Sequence, residues 1–519
     1  MASSAPNVLC IVTDQQRADH VGFMGNNVVR TPNLDALAAR GMVMENAWVA
    51  NPVCMPNRCS MMTGRLPTAH GVIFNDRTLD WQANTFVRRF AAHGYHTGLI
   101  GKSHLQHGMS KNSVRTYRGS PVQGSPYPAG WDEVEDFERY LHELPEMPAD
   151  FYGFAHVELS IDHGARASGH HLQWALANGA QRDDMFVEYD AEAPGQHRSD
   201  DWWQIYQPPY ASEFHSTEFV TRRTIDFIES ARQQDRPWLT WCSFPDPHHP
   251  MTPPGDWFFR HTPRDMPLPA SRHDALEDAP AHLRQFQKVH PSAQRDWVTP
   301  CGYGSDTLLQ EALAATYGQI EMIDDGVGQI MSYLQANGML DNTIVVFTSD
   351  HGDMMGDHGL MLKGFMNYRG VLQVPLVIST PDHTPGRSRE LACSMDIGPT
   401  LMSLCEVSDY DGIQGVSLAP LLADPAAAVR EHVLIEDDIQ PLVADLSPIP
   451  AKTRTLITRT HRYTRNSKGE EQLFDLQNDP DEMHDLKKED EALRLSHVEQ
   501  LADALIAADD AARGAPAAA

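Results

Sequence analysis

The chain has 519 residues, more than a single hydrophobic core usually serves, so we expect one large domain and a smaller one. Its formal net charge of −29 at pH 7 argues against nucleic acid or an anionic membrane as a partner, because both attract clustered Lys and Arg. No run of about twenty apolar residues occurs, and residues 1–6 are too short and too polar for a signal peptide, so we expect a cytoplasmic location.

Short apolar runs alternate with helical patterns from residue 7 to about residue 422, which predicts an α/β fold with a doubly wound sheet sandwiched by helices. The predicted elements, in chain order, are a strand at 7–13, a helix at 33–41 with an Asn cap and a Gly stop, a helix that starts at 84 or 85 and ends at 93, a strand at 95–100, a helix at 218–232, a strand at 238–244, a helix at 308–337 and a strand at 343–349.

Regularity fades between residues 106 and 212, which are rich in Gly, Pro, His and aromatic residues. This stretch is too long for a loop inside a compact domain, so we interpret it as a substrate-facing insertion in a catalytic domain of residues 1–425. Residues 426–519 are predicted to form a small α+β domain. It has an antiparallel sheet of strands near 432–436, 453–458, 461–464 and 472–476, a final amphipathic helix and a disordered tail from residue 513.

Two of the predicted strands end in residues that bind metals. The first deposits Asp14 and Gln15, and the strand at 343–349 deposits Asp350 and His351. Ligands of open parallel sheets lie beyond the carboxyl ends of the strands, so these residues can converge. Each Asp taken alone is more simply a helix cap. Together the four offer oxygens and one imidazole, which suits Ca²⁺ in the first place and Mn²⁺ as the alternative.

Cys54-Met55-Pro56-Asn57-Arg58 is a second unusual segment. The seven cysteines of the chain form no CxxC pair, which indicates reduced thiols, and a lone cysteine is usually a small buried hydrophobe. If a helix begins near Pro56, Arg58 lies one turn from Cys54 and offers a guanidinium to an anion at that position. The spacing therefore leaves both a structural and a chemical interpretation open.

These segments, in this order, resemble the sulfatase family of the alkaline phosphatase superfamily, including its formylglycine-dependent sulfatases and phosphonate monoester hydrolases. The resemblance covers most of the chain and depends on these segments: Asp14-Gln15, Cys54 to Arg58, Ser60 to Arg65, Gly101 to His104, Pro247 to Pro250, Asp350 to Gly352 and Lys363-Gly364. It implies an alkaline-phosphatase-like mixed sheet and hydrolysis of sulfate esters. Family members often have Asp where this chain has Gln15 and Asn where it has His351, which leaves the identity of the metal open.

The resemblance also implies a role for each residue. A formylglycine-generating enzyme would convert Cys54 to formylglycine, and position 54 would then join Asp14, Gln15, Asp350 and His351 around one divalent ion. One hydroxyl of the aldehyde hydrate attacks sulfur or phosphorus, and the other later loses its proton so that the inorganic anion is expelled. Arg58, Lys102 and Lys363 would surround the transferred group. His248 or Lys363 would protonate the leaving oxygen, and His104 would take the proton of the hydrate.

Several alternatives remain open at this stage. A phosphodiester or phosphonate monoester shares the shape and single charge of a sulfate monoester, and a catalytically dead binding protein would keep the same fold. The Lys102-x-His104 pair favours sulfatases. Asp353, Asp357 and His358 either orient metal ligands or form turns, and we favour turns. The substrate is expected to be a small anionic ester, and self-association is left open.

Overall fold

The computed structural model describes residues 5–75, 77–108, 127–166, 168–186, 197–234, 236–293, 300–439 and 449–513. The predicted disordered tail starts at residue 513, which is the last residue of a helix, and its residues 514–519 lie outside the described residues, as do parts of the predicted insertion. Among the described helices, none is both long and apolar enough to cross a bilayer.

The described residues contain fifteen strands. They are β1 (Asn7–Thr13), β2 (Met42–Trp48), β3 (His96–Gly101), β4 (His156–Ile161), β5 (Ser168–Gly169), β6 (Trp238–Ser243), β7 (Cys301–Gly302), β8 (Thr343–Ser349), β9 (Leu360–Met361), β10 (Leu376–Ser379), β11 (Gly386–Cys393), β12 (Val433–Asp438), β13 (Lys452–Ile457), β14 (His461–Asn466) and β15 (Glu471–Asp475). β7 and β9 form a separate two-stranded pair.

Twelve α-helices accompany them in the described part of the chain. They are α1 (Pro32–Arg40), α2 (Cys54–Thr63), α3 (Pro67–His70), α4 (Phe86–Ala92), α5 (His170–Ala177), α6 (Ser216–Arg232), α7 (Ala281–Phe286), α8 (Asp306–Ala336), α9 (Arg369–Leu372), α10 (Ile397–Leu404), α11 (Ala419–Ala423) and α12 (Glu491–Arg513).

The main sheet has nine strands in the order β11-β2-β10-β8-β1-β6-β3-β4-β5. β8, β1, β6, β3 and β4 run parallel to one another, whereas β10 pairs antiparallel with β8 and β5 pairs antiparallel with β4, so the sheet is mixed. Along β1, alternate side chains enter two different hydrophobic cores, because successive residues of a strand face opposite sides. Helices α1, α6 and α8 pack on one face and α2, α4 and α10 on the other. The predicted doubly wound architecture is confirmed.

Most predicted boundaries agree with the structure within two residues. Thr85 caps α4, since its hydroxyl accepts a hydrogen bond from the amide of Arg88 at 3.2 Å. The predicted Asn cap of α1 is wrong, because Thr31 is the capping residue and Asn33 lies inside the helix. The Asn33 side chain instead donates to the carboxylate of Asp324 on α8, at 2.8 Å.

The stretch predicted as an irregular insertion contains β4, β5 and α5, so that interpretation needs correction. β4 and β5 extend the main sheet at one edge. In β4 the apolar residues Val157, Leu159 and Ile161 alternate with polar ones, as in an edge region with one face packed on the core. This alternation is weaker than the continuous apolar runs of the central strands, so it was missed.

The predicted C-terminal sheet is present as an antiparallel meander in the order β12-β13-β14-β15, with α12 packed against it. Its buried residues, among them Ile435, Leu456 and Leu473, join the same hydrophobic core as one face of the main sheet. The small sheet is therefore not stabilised by a core of its own. The boundary at residues 425 and 426 stays a prediction.

Candidate active site

The strand ends bring the two predicted carboxylates together. β1 and β8 pair in parallel with Thr13 opposite Ser349, so Asp14 and Asp350 leave the sheet side by side. The amide of Asp350 donates to the carbonyl of Thr13 at 3.1 Å, and the amide of Gln15 donates to Oδ1 of Asp350 at 3.0 Å. Both carboxylates are fully buried. Parallel pairing therefore creates the convergence that the sequence predicted.

Cys54 and Arg58 lie one helical turn apart at the start of α2, as their spacing predicted, and both are buried. Arg58 donates from Nε to Oδ2 of Asp350 at 2.7 Å and from Nη2 to Oδ2 of Asp14 at 3.2 Å. Its Nη1 donates to Ser243 Oγ at 2.8 Å and to the carbonyl of Lys102 at 3.1 Å. The guanidinium thus clamps two carboxylates. The sequence had suggested that it would contact the transferred anion.

Four ligand atoms face a common point: Cys54 Sγ, His351 Nε2, Asp14 Oδ1 and Asp350 Oδ1. They all lie within 4.8 Å of one another. His351 Nδ1 donates to the carbonyl of Gly352 at 2.8 Å, which leaves the lone pair of Nε2 facing the group. Buried carboxylate oxygens and an imidazole lone pair that converge in this way fit a divalent cation.

Gln15, predicted as a metal ligand, lies at the rim of this group. Its Oε1 accepts from Lys363 Nζ at 2.7 Å, and its Nε2 donates to Asp353 and faces His249 Nδ1 at 3.0 Å. Asp353 also accepts the amides of Met355 and Leu362 through Oδ1. The turn interpretation for Asp353 was incomplete, because the same carboxylate orients Gln15.

Two lysines add positive charge beside the carboxylates. Lys102 Nζ contacts Asp14 Oδ2 and His163 Nε2, and Lys363 Nζ lies 3.1 Å from Cys54 Sγ. Burial alone would raise the pKa of Asp14, but Lys102, Lys363 and Arg58 hold it well below its usual range. Burial and Asp14 likewise oppose ionisation of Cys54, yet Lys102, Lys363 and His351 lower the pKa of its thiol overall.

Three stacked imidazoles form the outer wall of the site. The ring of His248 lies between those of His163 and His249, with centroid distances of 3.7 Å and 4.0 Å. His248 Nδ1 donates to the carbonyl of His249. Burial, together with His163, His249 and the two lysines, lowers the pKa of His248 well below its ordinary value. His249 also belongs to the site, because its ring contacts Gln15.

Sequence reasoning missed His163. It follows the end of β4, which pairs in parallel with β3, so it lies at the same sheet edge as Lys102. The available signal was weaker than the one that identified Asp14: a strand of alternating apolar and polar residues followed at once by Asp162 and His163. It was overlooked because the whole stretch was interpreted as an insertion.

His104 lies in the turn after β3, because that strand ends at Gly101, and it adopts a left-handed conformation with φ 56°. The carboxylate of Glu135 holds this turn by accepting the amides of residues 104, 105 and 106 at 2.7–3.0 Å. Burial, Lys102, His163 and Arg58 lower the pKa of His104 well below its usual value. Its buried Nδ1 has no hydrogen-bond partner among the described residues.

The C-terminal sheet contacts two segments that carry residues of the site. In β12, Asp437 Oδ2 accepts the amide of Phe365 at 2.9 Å, two residues after Lys363. The adjacent Glu436 donates its amide to the carbonyl of Ala50 at 3.0 Å, just before α2. One strand of the small sheet therefore fixes both the lysine loop and the segment that leads to Cys54.

A sulfatase family model matches residues 6–407, and a model of the C-terminal region of N-sulphoglucosamine sulphohydrolase matches residues 356–509. An arylsulfatase of Clostridium perfringens is 28% identical over 500 residues, covering 94% of this chain and 91% of the relative. A choline-sulfatase of Rhizobium meliloti is 27% identical over 498 residues, covering 94% and 83%. The solved phosphonate monoester hydrolase of Agrobacterium radiobacter superposes with a TM-score of 0.78 at 25% identity, covering 97% and 96%.

Proposed function

Because the chain belongs to the sulfatase family of the alkaline phosphatase superfamily, which consists of hydrolases of ester bonds, we propose that it hydrolyses sulfate esters of small alcohols. The observation that carries this proposal is the position of Cys54. Its sulfur lies 3.1 Å from both His351 Nε2 and Lys363 Nζ, at the start of α2 and beside two buried carboxylates. This is where a nucleophile for an anionic ester is needed.

Asp14, Asp350 and His351 are the residues that would hold a divalent cation, with Gln15 at the rim and residue 54 completing the group. Their oxygen-rich set favours Ca²⁺, with Mn²⁺ as the alternative. Such a cation supplies Lewis acidity that stabilises negative charge developing on an adjacent oxygen. Arg58 donates to Oδ2 of both carboxylates and so holds their orientation.

Cys54 is the residue that a formylglycine-generating enzyme would oxidise, with loss of the sulfur and gain of an aldehyde oxygen. The hydrated aldehyde supplies a hydroxyl nucleophile and a second hydroxyl whose deprotonation releases the inorganic anion. Lys102 and Lys363 flank position 54 and would hold the anionic group of the ester, so that charge in the transition state meets preorganised cations.

His248 is the residue proposed to protonate the leaving oxygen. Its Nδ1 donates to a backbone carbonyl, so the proton passed to the substrate must be carried on Nε2 of an imidazolium, a form that the negative charge of a bound ester would favour. Lys363, the alternative acid, is already engaged with Gln15 and the sulfur of Cys54, which favours a role in holding the anion. His104, kept neutral by burial and nearby cations, would accept a proton from the hydrate.

A second candidate is hydrolysis of phosphonate monoesters. The similarity to the phosphonate monoester hydrolase of Agrobacterium radiobacter spans nearly the whole of both chains and favours it. A sulfate monoester and a phosphonate monoester carry the same single negative charge on a tetrahedral centre, so the residues around Cys54 can serve either substrate.

The test is a comparison of kcat/KM on 4-nitrophenyl sulfate, bis(4-nitrophenyl) phosphate and 4-nitrophenyl phenylphosphonate, with one enzyme preparation loaded with Ca²⁺. The expected result is a preference for the sulfate ester of at least about tenfold, which is a difference of about 1.4 kcal/mol in transition-state stabilisation. A preference for the phosphonate would establish the second candidate instead.

The same preparation should show the mass of an aldehyde at position 54 in peptide mass spectrometry. Cys54→Ser lacks the thiol on which the proposed conversion acts and should lose turnover. Cys59→Ser is the matched control, because Cys59 is buried on the same helix within the hydrophobic core. Full activity in protein that carries only unmodified Cys54 would contradict the mechanism.

A further inference from the structure

The geometry points to a second metal chemistry at the same site. We propose that the folded chain with Cys54 still a thiol binds Zn²⁺ through Cys54, His351, Asp14 and Asp350. The inference rests on the proposed function in one respect, namely that Cys54 loses its sulfur when it is converted. The metal preference of the site would then change with the chemistry of one residue.

The spacing of the four ligand atoms carries this proposal. Cys54 Sγ lies 3.1 Å from His351 Nε2 and 3.8 Å from Asp14 Oδ1, while His351 Nε2 lies 3.8 Å from Asp14 Oδ1 and 3.6 Å from Asp350 Oδ1. With Zn–S near 2.3 Å and Zn–N or Zn–O of about 2.0–2.2 Å, the edges of a tetrahedron are roughly 3.3–3.7 Å. These four distances lie within about half an ångström of those edges, and the two remaining pairs of ligand atoms lie within 4.8 Å of each other.

The other polar side-chain atoms of Asp14, Asp350 and His351 already form hydrogen bonds within the protein. Each carboxylate turns Oδ2 toward Arg58 and keeps Oδ1 toward the shared point. His351 has its Nδ1 proton on the carbonyl of Gly352, which fixes the tautomer that offers Nε2 to a metal. Outer hydrogen bonds of this kind orient metal ligands and raise affinity. The ligand atoms are therefore oriented before any ion enters.

The chain before conversion of Cys54 and the chain after conversion offer a metal ion different ligand atoms. Asp14, Gln15, Asp350 and His351 alone are rich in oxygen and favour a hard cation, but the sulfur of Cys54 adds a soft ligand that favours Zn²⁺. One thiolate, one imidazole and two carboxylates fill four tetrahedral positions. After conversion the sulfur is gone, and the oxygen-rich set remains.

A consequence follows for chains that fold before conversion. Cys54 is only 1% exposed, so a zinc ion held there would close off the thiol. Because a ligand that binds only the folded state stabilises it by mass action, zinc would also raise the stability of the unconverted form. Zinc would thus favour an inactive, fully folded population.

The first experiment uses the full chain produced without a formylglycine-generating enzyme, with the thiol verified by intact mass, and Co²⁺ as a spectroscopic probe. We expect a thiolate-to-cobalt charge-transfer band and the intense visible bands of tetrahedral Co²⁺. Cys54→Ser should lose the charge-transfer band and Cys59→Ser should keep it. If the wild-type chain lacks this band, or if the Cys54→Ser variant shows it equally, the proposal is overturned.

The second experiment measures Zn²⁺ and Ca²⁺ affinity by competition with chromogenic chelators. Loss of the sulfur should weaken Zn²⁺ binding by at least about tenfold and leave Ca²⁺ binding within about threefold, because the thiolate is a soft ligand. Equal losses for both ions would overturn the proposal. Converted wild-type chain provides a sulfur-free comparison without mutation, in case Cys54→Ser folds poorly. Mass spectrometry of position 54 decides the proposed function separately, so the two failures are distinguishable.

Discussion

The inner and outer halves of the site are built in different ways. The inner half consists of Asp14, Cys54, Arg58, Asp350 and His351, which come from the ends of β1 and β8 and the first turn of α2 and are at most 1% exposed. The outer half consists of Lys102, His104, His163 and His248, which come from the segments that follow β3, β4 and β6.

The two halves also differ in what holds them. Direct hydrogen bonds between charged groups fix the inner half, with Arg58 bridging two carboxylates. Stacked imidazole rings and one lysine form the outer half, where the side chain of His163 is 16% exposed. We infer that the inner half tolerates almost no change, whereas the outer half can vary with the ester that the enzyme accepts.

The largest effect is expected from the inner half. Arg58→Ala leaves two buried carboxylates without their bridging cation, and breaking a buried pair in this way costs roughly 3–5 kcal/mol. We expect the free energy of unfolding, measured by urea denaturation, to fall by that amount, and Ca²⁺ affinity to fall with it. Arg58→Lys is the control that keeps the charge but cannot reach both carboxylates with one planar group. An unchanged free energy of unfolding in Arg58→Ala would contradict the inference that hydrogen bonds between charged groups hold the inner half of the site together.

A chemical effect is expected from the outer half. His248→Ala should slow hydrolysis of an unactivated alkyl sulfate by roughly 10²–10⁴-fold, because the departing alkoxide then lacks a proton donor. It should slow hydrolysis of a nitrophenyl ester far less.

His249→Ala should behave differently from His248→Ala. His249 contacts Gln15, so its loss should lower kcat/KM for both substrates equally and weaken metal binding. A dependence on the leaving group in His249→Ala alone would show that the wrong histidine was assigned as the acid.

His163 offers a finer test within the outer half. His163→Phe keeps a ring to stack on His248 but cannot accept from Lys102, whereas His163→Asn keeps an acceptor and loses the stack. A hydrogen bond to a charged group contributes about 1.5–3 kcal/mol and a ring pair about 0.5–1.5 kcal/mol. We therefore expect His163→Phe to raise KM by roughly tenfold or more on every ester, and His163→Asn to lower kcat by a smaller factor on poor leaving groups. Identical kinetic changes in the two variants would contradict these separate roles.

The smallest effect is expected in β4, the strand that precedes His163, and it concerns stability alone. Burial opposes ionisation of Glu158 in β4, but hydrogen bonds from Arg223 and His156 lower its pKa to about 2. A depressed pKa contributes stability that is present above about pH 4.5, the unfolded value, and is lost as pH falls toward 2.

Glu158→Gln should therefore reduce the free energy of unfolding by roughly 1–3 kcal/mol at pH 7, and the difference from wild type should shrink toward pH 2. Denaturation curves at several pH values measure this. Glu499→Gln, on the exposed face of α12, should change little. A difference that stays constant with pH would exclude the ionised carboxylate as its cause.

The inner half was predictable from sequence because its chemistry is local. An apolar run that ends in Asp identifies a strand and its ligand together, and the spacing of Cys54 and Arg58 corresponds to one helical turn. The four C-terminal strands were predictable for a similar reason, since short alternating runs separated by turns indicate an antiparallel meander.

The outer half was only partly predictable because loops set its geometry. Nothing in the sequence near His249 indicates that its ring contacts Gln15, more than two hundred residues away. The contact of Asp437 in β12 with Phe365 in the Lys363 loop joins residues 72 positions apart, one in the C-terminal sheet and one in a loop. Such pairs follow from how whole elements pack, which residue spacing along one strand or helix does not determine.

The pairing of β1 with β8 also has a consequence in time. The nucleophile position is made early, but Asp350, which completes its pocket, is synthesised about 300 residues later. At about 5–20 residues per second, a ribosome needs roughly 15–60 s to cover that distance. During that interval β1 lacks its neighbour β8, and until residue 243 has been made it lacks β6 as well, so the pocket around Cys54 is incomplete. Conversion of Cys54 by a formylglycine-generating enzyme, as proposed above, would therefore compete with completion of the sheet.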